Sequence, residues 1–89
     1  MPRIEVPSRY RVPLKGEAAI DVSGDTVRSC VEEVEARYPG FQKLILSPRG
    51  ELNLFVSLFV DGQSFPRDGL DKPLAPDARF EIVAAAAGG

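Results

Sequence analysis

Hydrophobic and polar residues alternate with a period of two near both ends of the chain and follow a helical spacing in between. Ile4 and Val6 alternate with charged neighbours, and residues 18 to 22 repeat the pattern. Each segment predicts a strand with one buried face. We expect the two strands to form a hairpin that turns at Lys15-Gly16, with an irregular stretch around Pro13.

The next segment predicts an amphipathic helix that begins at Val27. Its apolar positions share one face: Val27, Cys30, Val31, Val34 and Tyr38. Asp25 or Thr26 is predicted to cap the helix, because its side-chain oxygen can accept hydrogen bonds from the free amides of the first turn. Pro39-Gly40 ends it, since proline cannot continue a helix and glycine readily adopts the left-handed conformation.

Residues 54 to 60 are apolar almost throughout and predict a central strand, closed by Asp61-Gly62. Alternation assigns its side chains to two faces: Val56, Leu58 and Val60 toward the helix, and Phe55, Ser57 and Phe59 away from it. Residues 79 to 83 predict a last strand. The segments 41–53 and 63–76 are interpreted as connections with few regular elements.

This order of elements predicts an α+β fold in which one mixed sheet carries one main helix on one face. Such an arrangement is a β-grasp, or ubiquitin-like, fold. We expect the domain to comprise residues 1–83, followed by a flexible tail at residues 84–89.

The amino-acid composition excludes several classes of function. With 89 residues, 44% of them hydrophobic, the chain is expected to form one domain with a modest core. The net charge is -2 and the basic residues are scattered, so we expect no nucleic-acid partner. Histidine is absent, and the single cysteine, Cys30, is interpreted as a buried structural thiol rather than a nucleophile. We expect no metal site.

Neither a signal-peptide core nor an apolar run of membrane-spanning length is present in the sequence. The expected location is the cytoplasm, without a membrane partner.

The tail from Ala84 to Gly89 carries no charged side chain and nothing larger than a methyl group. Such a segment could enter a narrow channel of another protein, because two glycines without Cβ allow close approach of a backbone. The reactive group would be the α-carboxylate of Gly89. The alternative is an inert end, since chain termini are often small and disordered.

Four segments together resemble the MoaD/ThiS family of sulfur carriers, and within it the CysO-type carriers of cysteine synthesis and their relatives in secondary metabolism. They are Ser23-Gly24-Asp25-Thr26-Val27, Glu35-Ala36-Arg37-Tyr38-Pro39-Gly40, Phe55-Val56, and the stretch from Ile82 to Gly89. The chain departs from the family pattern at Ser57, where asparagine is common, at Pro76-Asp77, where Gly-Asp is usual, and in its four consecutive alanines.

The resemblance implies that Gly89 is adenylated by an ATP-using, ubiquitin-activating-like enzyme and then converted to a thiocarboxylate. The chain would be a carrier without a bound cofactor, not an enzyme, and ATP would be used by its partner. The residues implied to enter that partner are Ala86, Ala87, Gly88 and Gly89. A sulfur-accepting synthase is a further implied partner, and a sulfurtransferase or a metalloprotease acting at the tail is another candidate.

Phe55 and Phe59 are predicted to form a docking face on the side of the sheet away from the helix, because a monomer has little reason to expose two aromatics. Two alternatives stay open. The rings could pack under the Tyr10–Leu14 loop, or the register could be shifted by one residue, which would reverse the faces.

Two other functions compete with the carrier. A ubiquitin-like modifier would join Gly89 to lysines of other proteins, and a small interaction domain would carry an inert tail. The sulfur donor, the acceptor and the final metabolite are left open by the sequence.

Overall fold

The computed structural model describes residues 1–84, which form a five-stranded sheet and two helices. The strands are β1 (Arg3–Glu5), β2 (Ala19–Asp21), β3 (Val56–Val60), β4 (Gln63–Ser64) and β5 (Arg79–Ala84). The helices are α1 (Val27–Arg37) and α2 (Gln42–Ile45), and a single 3-10 turn spans Ser8–Tyr10.

The strand order in the sheet is β2-β1-β5-β3-β4. β1 pairs antiparallel with β2 and parallel with β5, while β3 pairs antiparallel with β5 and β4. The mixed sheet and the first hairpin are therefore confirmed. The strand predicted for residues 54 to 60 is the interior strand β3, but it covers only Val56–Val60, and the middle position of the sheet belongs to β5. Strand order follows from pairing between distant segments, which local periodicity does not encode.

The second strand of the β3–β4 hairpin, β4, lies in the segment 63–76, which the sequence predicted as a connection. Asp61 and Gly62 form its two-residue turn, with φ values of 51° and 84°. Two consecutive positive φ values are typical of a type I′ turn, whose twist matches that of the flanking strands. An Asp-Gly pair after an apolar strand is a strong hairpin signal, and it was interpreted only as the end of that strand.

Helix α1 packs against one face of the sheet, as predicted. Thr26 is the N-cap, and its side chain accepts a hydrogen bond from the backbone N–H of Ser29 at 3.0 Å. The Ser29 hydroxyl in turn accepts one from the backbone N–H of Thr26 at 3.1 Å, which completes a capping box. A Cβ at Gly24 would lie 2.5 Å from the Ser29 hydroxyl oxygen, so this tight approach requires glycine.

Beyond α1 the chain forms α2, which was not predicted as a helix. The Glu35 carboxylate accepts hydrogen bonds from the backbone N–H groups of Gln42 at 2.8 Å and Gly40 at 3.2 Å. These two donors lower the pKa of Glu35, because they stabilise its ionised form. The contact therefore stabilises the fold at neutral pH and weakens as the pH falls through that lowered pKa. Gly40 has a φ of 104°, which confirms the predicted helix end.

The core lies between α1 and the sheet and is extended by side chains from the connections. Its largest fully buried members are Phe41, Phe80, Ile4, Leu14, Ile45, Leu58 and Ile82. Phe41 and Ile45 join this core because α2 turns them inward. The sequence had assigned neither residue to the core.

Candidate functional site

The residues predicted to enter a partner, Ala86, Ala87, Gly88 and Gly89, lie outside the described residues. The root of the tail is described, because β5 is one residue longer than predicted and ends at Ala84, which pairs with Val56 of β3. The tail therefore starts from the central strand of the sheet, beside the beginning of β3.

β5 pairs with β1 and β3, and the two pairings end at different residues of β5. Pairing with β3 continues to Ala84, whereas pairing with β1 is recorded only as far as Glu5 opposite Glu81. Pro7 follows two residues later and has no N–H with which to extend the ladder. Within the described part of the chain, the last residues of β5 before the tail therefore form backbone hydrogen bonds mainly with β3.

Phe59 is part of β3, as predicted, whereas Phe55 was predicted in the strand but lies in the turn directly before it. Val56 and Leu58 are both 1% exposed and belong to the core, so the one-residue shift in register does not occur. Phe55 is 57% exposed, which shows that no loop covers its ring, and Phe59 is half-buried. Whether a partner binds these rings stays a prediction.

The face of the sheet away from α1 has two chemically different halves. On the β1 side, Arg3 pairs with Asp21 at 3.0 Å and Arg79 pairs with Glu5 at 3.2 Å. On the β3 side, Ser57 pairs with Val83 and Phe59 pairs with Glu81, and Phe55 lies just before the strand. The uncharged pair of Ser57 and Val83 is therefore the one that adjoins the root of the tail.

Cys30 is fully buried on the core face of α1, as predicted. Burial, and to a smaller extent the nearby carboxylates of Glu33 and Asp25, raise the pKa of its thiol to about 11. The thiol also lies 3.5 Å from the carbonyl oxygen of Gly24. At neutral pH this sulfur is protonated and shielded, which makes it a poor nucleophile.

Residues 1–84 contain no group of three or more histidine, cysteine, aspartate or glutamate side chains placed to hold a metal ion. None of the polar or charged side chains in this part of the chain is buried. No helix among the described residues has the length and apolar character needed to cross a membrane.

Comparison with known proteins settles the family. The model of the ThiS family matches residues 7–89, nearly the whole chain. The chain belongs to the ThiS family. The sulfur carrier protein CysO of Mycobacterium tuberculosis is 28% identical over 89 residues, covering 97% of this chain and 96% of the relative.

Solved structures support the same placement for this ThiS-family chain. The crystal structure of Mycobacterium tuberculosis CysO matches with a TM-score of 0.87 and 26% identity, covering 97% of this chain and all of the other. The CysO chain of the Amycolatopsis orientalis BexX/CysO complex matches with a TM-score of 0.86 and 26% identity over the full length of both chains. These matches confirm the β-grasp fold.

A more distant match is SAMP1 from Haloferax volcanii, with a TM-score of 0.75 and 18% identity over 99% of this chain and 98% of the other. At that identity the likeness concerns the fold alone. It gives no support to the modifier function over the carrier function.

No functional role was predicted from the sequence for two residues near the root of the tail, Leu54 and Arg67. Leu54 is 85% exposed, and the Arg67 guanidinium binds backbone carbonyls at the start of β3. Leu54 was assigned to a continuous strand, but it lies in a turn that precedes β3. The signal that could have revealed this turn is Asn53, a residue type favoured in turns, directly before the apolar run.

Proposed function

We propose that this ThiS-family chain is a sulfur carrier whose Gly89 α-carboxylate is activated and converted to a thiocarboxylate. The observation that carries the proposal is the family match, which extends through Gly88-Gly89 and is accompanied by similarity to CysO carriers along the whole chain. The chain itself is the cosubstrate and not the catalyst.

The chemistry requires activation because a carboxylate is a poor electrophile. Attack of a Gly89 carboxylate oxygen on the α-phosphate of ATP forms an acyl-adenylate and releases pyrophosphate. A sulfide-level donor then attacks the carbonyl carbon, AMP leaves with the bonding electron pair, and sulfur replaces one oxygen. The adenylating partner binds the ATP, so the carrier needs no cofactor of its own.

The carrier contributes a thin C-terminal tail that can enter the active site of the partner enzyme. Gly88 and Gly89 lack Cβ atoms, and the preceding alanines have only methyl groups, so a narrow channel can close around the tail. The crystallised complex of the Amycolatopsis orientalis CysO with BexX supports a direct contact between such a carrier and a partner protein. A sulfur-accepting synthase would be the second partner, and the cytoplasm, where ATP is available, the expected compartment.

The product could be cysteine or a sulfur-containing cofactor or secondary metabolite. Similarity to CysO favours cysteine synthesis as the first pathway to test. Conjugation of Gly89 to lysines is the alternative function, because it uses the same activated carboxylate.

Intact mass spectrometry tests the proposal on untagged protein from its own organism. We expect a species heavier by the difference between one sulfur and one oxygen. Alkylation of the native protein should modify only this thiocarboxylate, because Cys30 is buried and its pKa is about 11. Alkylation in denaturant should add a second label, on Cys30.

The other outcomes identify the competing functions. Branched peptides that join Gly89 to lysines would show that the chain is a protein modifier and not a sulfur carrier. Unmodified Gly89 under every growth condition, and after incubation with the adenylating enzyme and ATP, would leave an interaction domain with an inert tail. Native labelling of Cys30 would contradict its burial in the core.

We also propose that Phe55 and Phe59 form the docking face for the adenylating enzyme. Phe59→Ala is expected to raise the KM of adenylation for the carrier about tenfold, since aromatic side chains dominate such contacts. The melting temperature should fall only slightly, because the ring is half-buried rather than part of the core. Steady-state kinetics and thermal unfolding check the two effects.

Phe59→Leu provides the matched control, because it keeps an apolar side chain at the same position. It should retain most of the affinity for the enzyme. A large loss of stability in Phe59→Ala would assign the ring to the core, and an unchanged KM would remove it from the docking face.

A further inference from the structure

A turn with two large apolar residues at its centre lies directly before β3. It spans Asn53 to Val56, and the backbone N–H of Val56 donates to the carbonyl oxygen of Asn53 at 3.1 Å. Leu54 and Phe55 occupy its central positions and are 85% and 57% exposed. Turn centres usually carry glycine, proline, asparagine, aspartate or serine, so turn chemistry does not account for these side chains.

The turn is anchored from two sides. The Asn53 side-chain amide donates to the carbonyl oxygen of Leu44 at 2.9 Å, and the Asn53 backbone N–H donates to that of Ile45 at the same distance. From the other side, the Arg67 guanidinium donates to the carbonyl oxygens of Val56 at 2.6 Å and Asn53 at 2.5 Å. Leu54 is therefore displayed on a backbone that is already ordered, which lowers the entropic cost of binding.

The turn also adjoins the point from which the tail starts. Val56, its last residue, pairs with Ala84 at the end of β5. The five residues from Ala85 to Gly89 can span at most about 17 Å, even if fully extended. An enzyme that acts on Gly89 must therefore bring its active site within that distance of Ala84, and its surface then meets the end of the sheet that displays Leu54.

We propose that Leu54 is a docking contact for the adenylating enzyme, which receives it in an apolar pocket beside the channel that takes the tail. The proposal rests on the proposed function, because it assumes that Gly89 is the group activated. It adds a contact at the end of the sheet to the docking face formed by Phe55 and Phe59. Arg67 acts as a positioning residue for this contact.

Adenylation of the full chain by its adenylating enzyme, followed as ATP–pyrophosphate exchange, tests the proposal. Leu54→Ser is expected to raise the KM for the carrier about tenfold, the loss of one apolar side chain from an interface. The value of kcat should not change, because the tail and Gly89 are intact. Thermal unfolding should show an unchanged melting temperature, since the side chain makes little contact within the chain.

Leu54→Met is the matched control, because it keeps an apolar side chain of similar volume at the same position. We expect its KM to stay close to that of the unmodified chain. An unchanged KM for Leu54→Ser, or an equal rise for both variants, would overturn the proposal.

The same assay separates this failure from failure of the proposed function. If the unmodified chain is adenylated and Leu54→Ser behaves identically, only the docking contact is refuted. If the unmodified chain supports no exchange with an adenylating enzyme that is active on ATP, the proposed function fails and the docking contact fails with it.

Discussion

Deletion of Gly88 and Gly89 is expected to abolish adenylation and to leave the melting temperature unchanged. The deletion moves the terminal carboxylate back by two residues, about 7 Å along an extended chain. Chemistry of this kind tolerates far smaller displacements, because reacting atoms must come within about 3.5 Å of each other. The fold should persist, since the described sheet already ends at Ala84.

Pyrophosphate exchange and thermal unfolding of the same preparation measure both effects. The control is the double variant Gly88→Ala and Gly89→Ala, which keeps the length of the tail and adds only two methyl groups. If it is adenylated and the deletion is not, reach is the limiting factor. If neither is adenylated, the channel also requires glycine. Full adenylation of the deletion variant would show that neither the length of the tail nor its two glycines is required.

Phe80→Ala is expected to lower the free energy of unfolding by about 3 to 5 kcal/mol, the usual cost of removing a buried aromatic ring. Phe80 is fully buried on β5, opposite Ile4 of β1 and Val60 of β3, so the cavity would open at the centre of the sheet. Small domains have a total stability of about 5 to 15 kcal/mol, so this one change removes a large fraction of it.

Urea unfolding of the variant measures the loss, with Phe55→Ala as the control. Phe55 is 57% exposed, and its removal should change the free energy of unfolding by less than about 1 kcal/mol. Equal losses in the two variants would show that Phe55 belongs to the core. A negligible loss in Phe80→Ala would contradict the position of β5 in the centre.

Elements with a clear internal period could be predicted from the sequence. The helix from Val27 shows this best, because its apolar spacing, its N-cap at Thr26 and its Pro39-Gly40 end all point to the same boundaries. The position of β5 could not be predicted in this way. Its centrality depends on pairing with β1 and β3, which lie far away in sequence.

The long apolar run before Asp61 was misleading for a physical reason. A run without polar residues usually indicates burial on both faces, which favours the centre of a sheet. Here Val56 and Leu58 are buried, whereas Leu54 and Phe55 are exposed in a turn. The apolar run continues from this turn into β3 without a break, so periodicity could not separate the exposed Leu54 and Phe55 from the residues of the strand.

The parallel pairing of β1 with β5 has a consequence for biosynthesis. Ribosomes produce residues 3–5 early and residues 79–84 late, so β1 emerges long before the strand that joins it to β3. Until then the nascent chain has two separate hairpins whose apolar faces are not yet united, a state prone to aggregation. Distant pairing of this kind also slows folding. The strand that unites the two hairpins is the one that leads into the tail, so a molecule truncated before β5 would have neither the complete sheet nor the Gly88-Gly89 terminus.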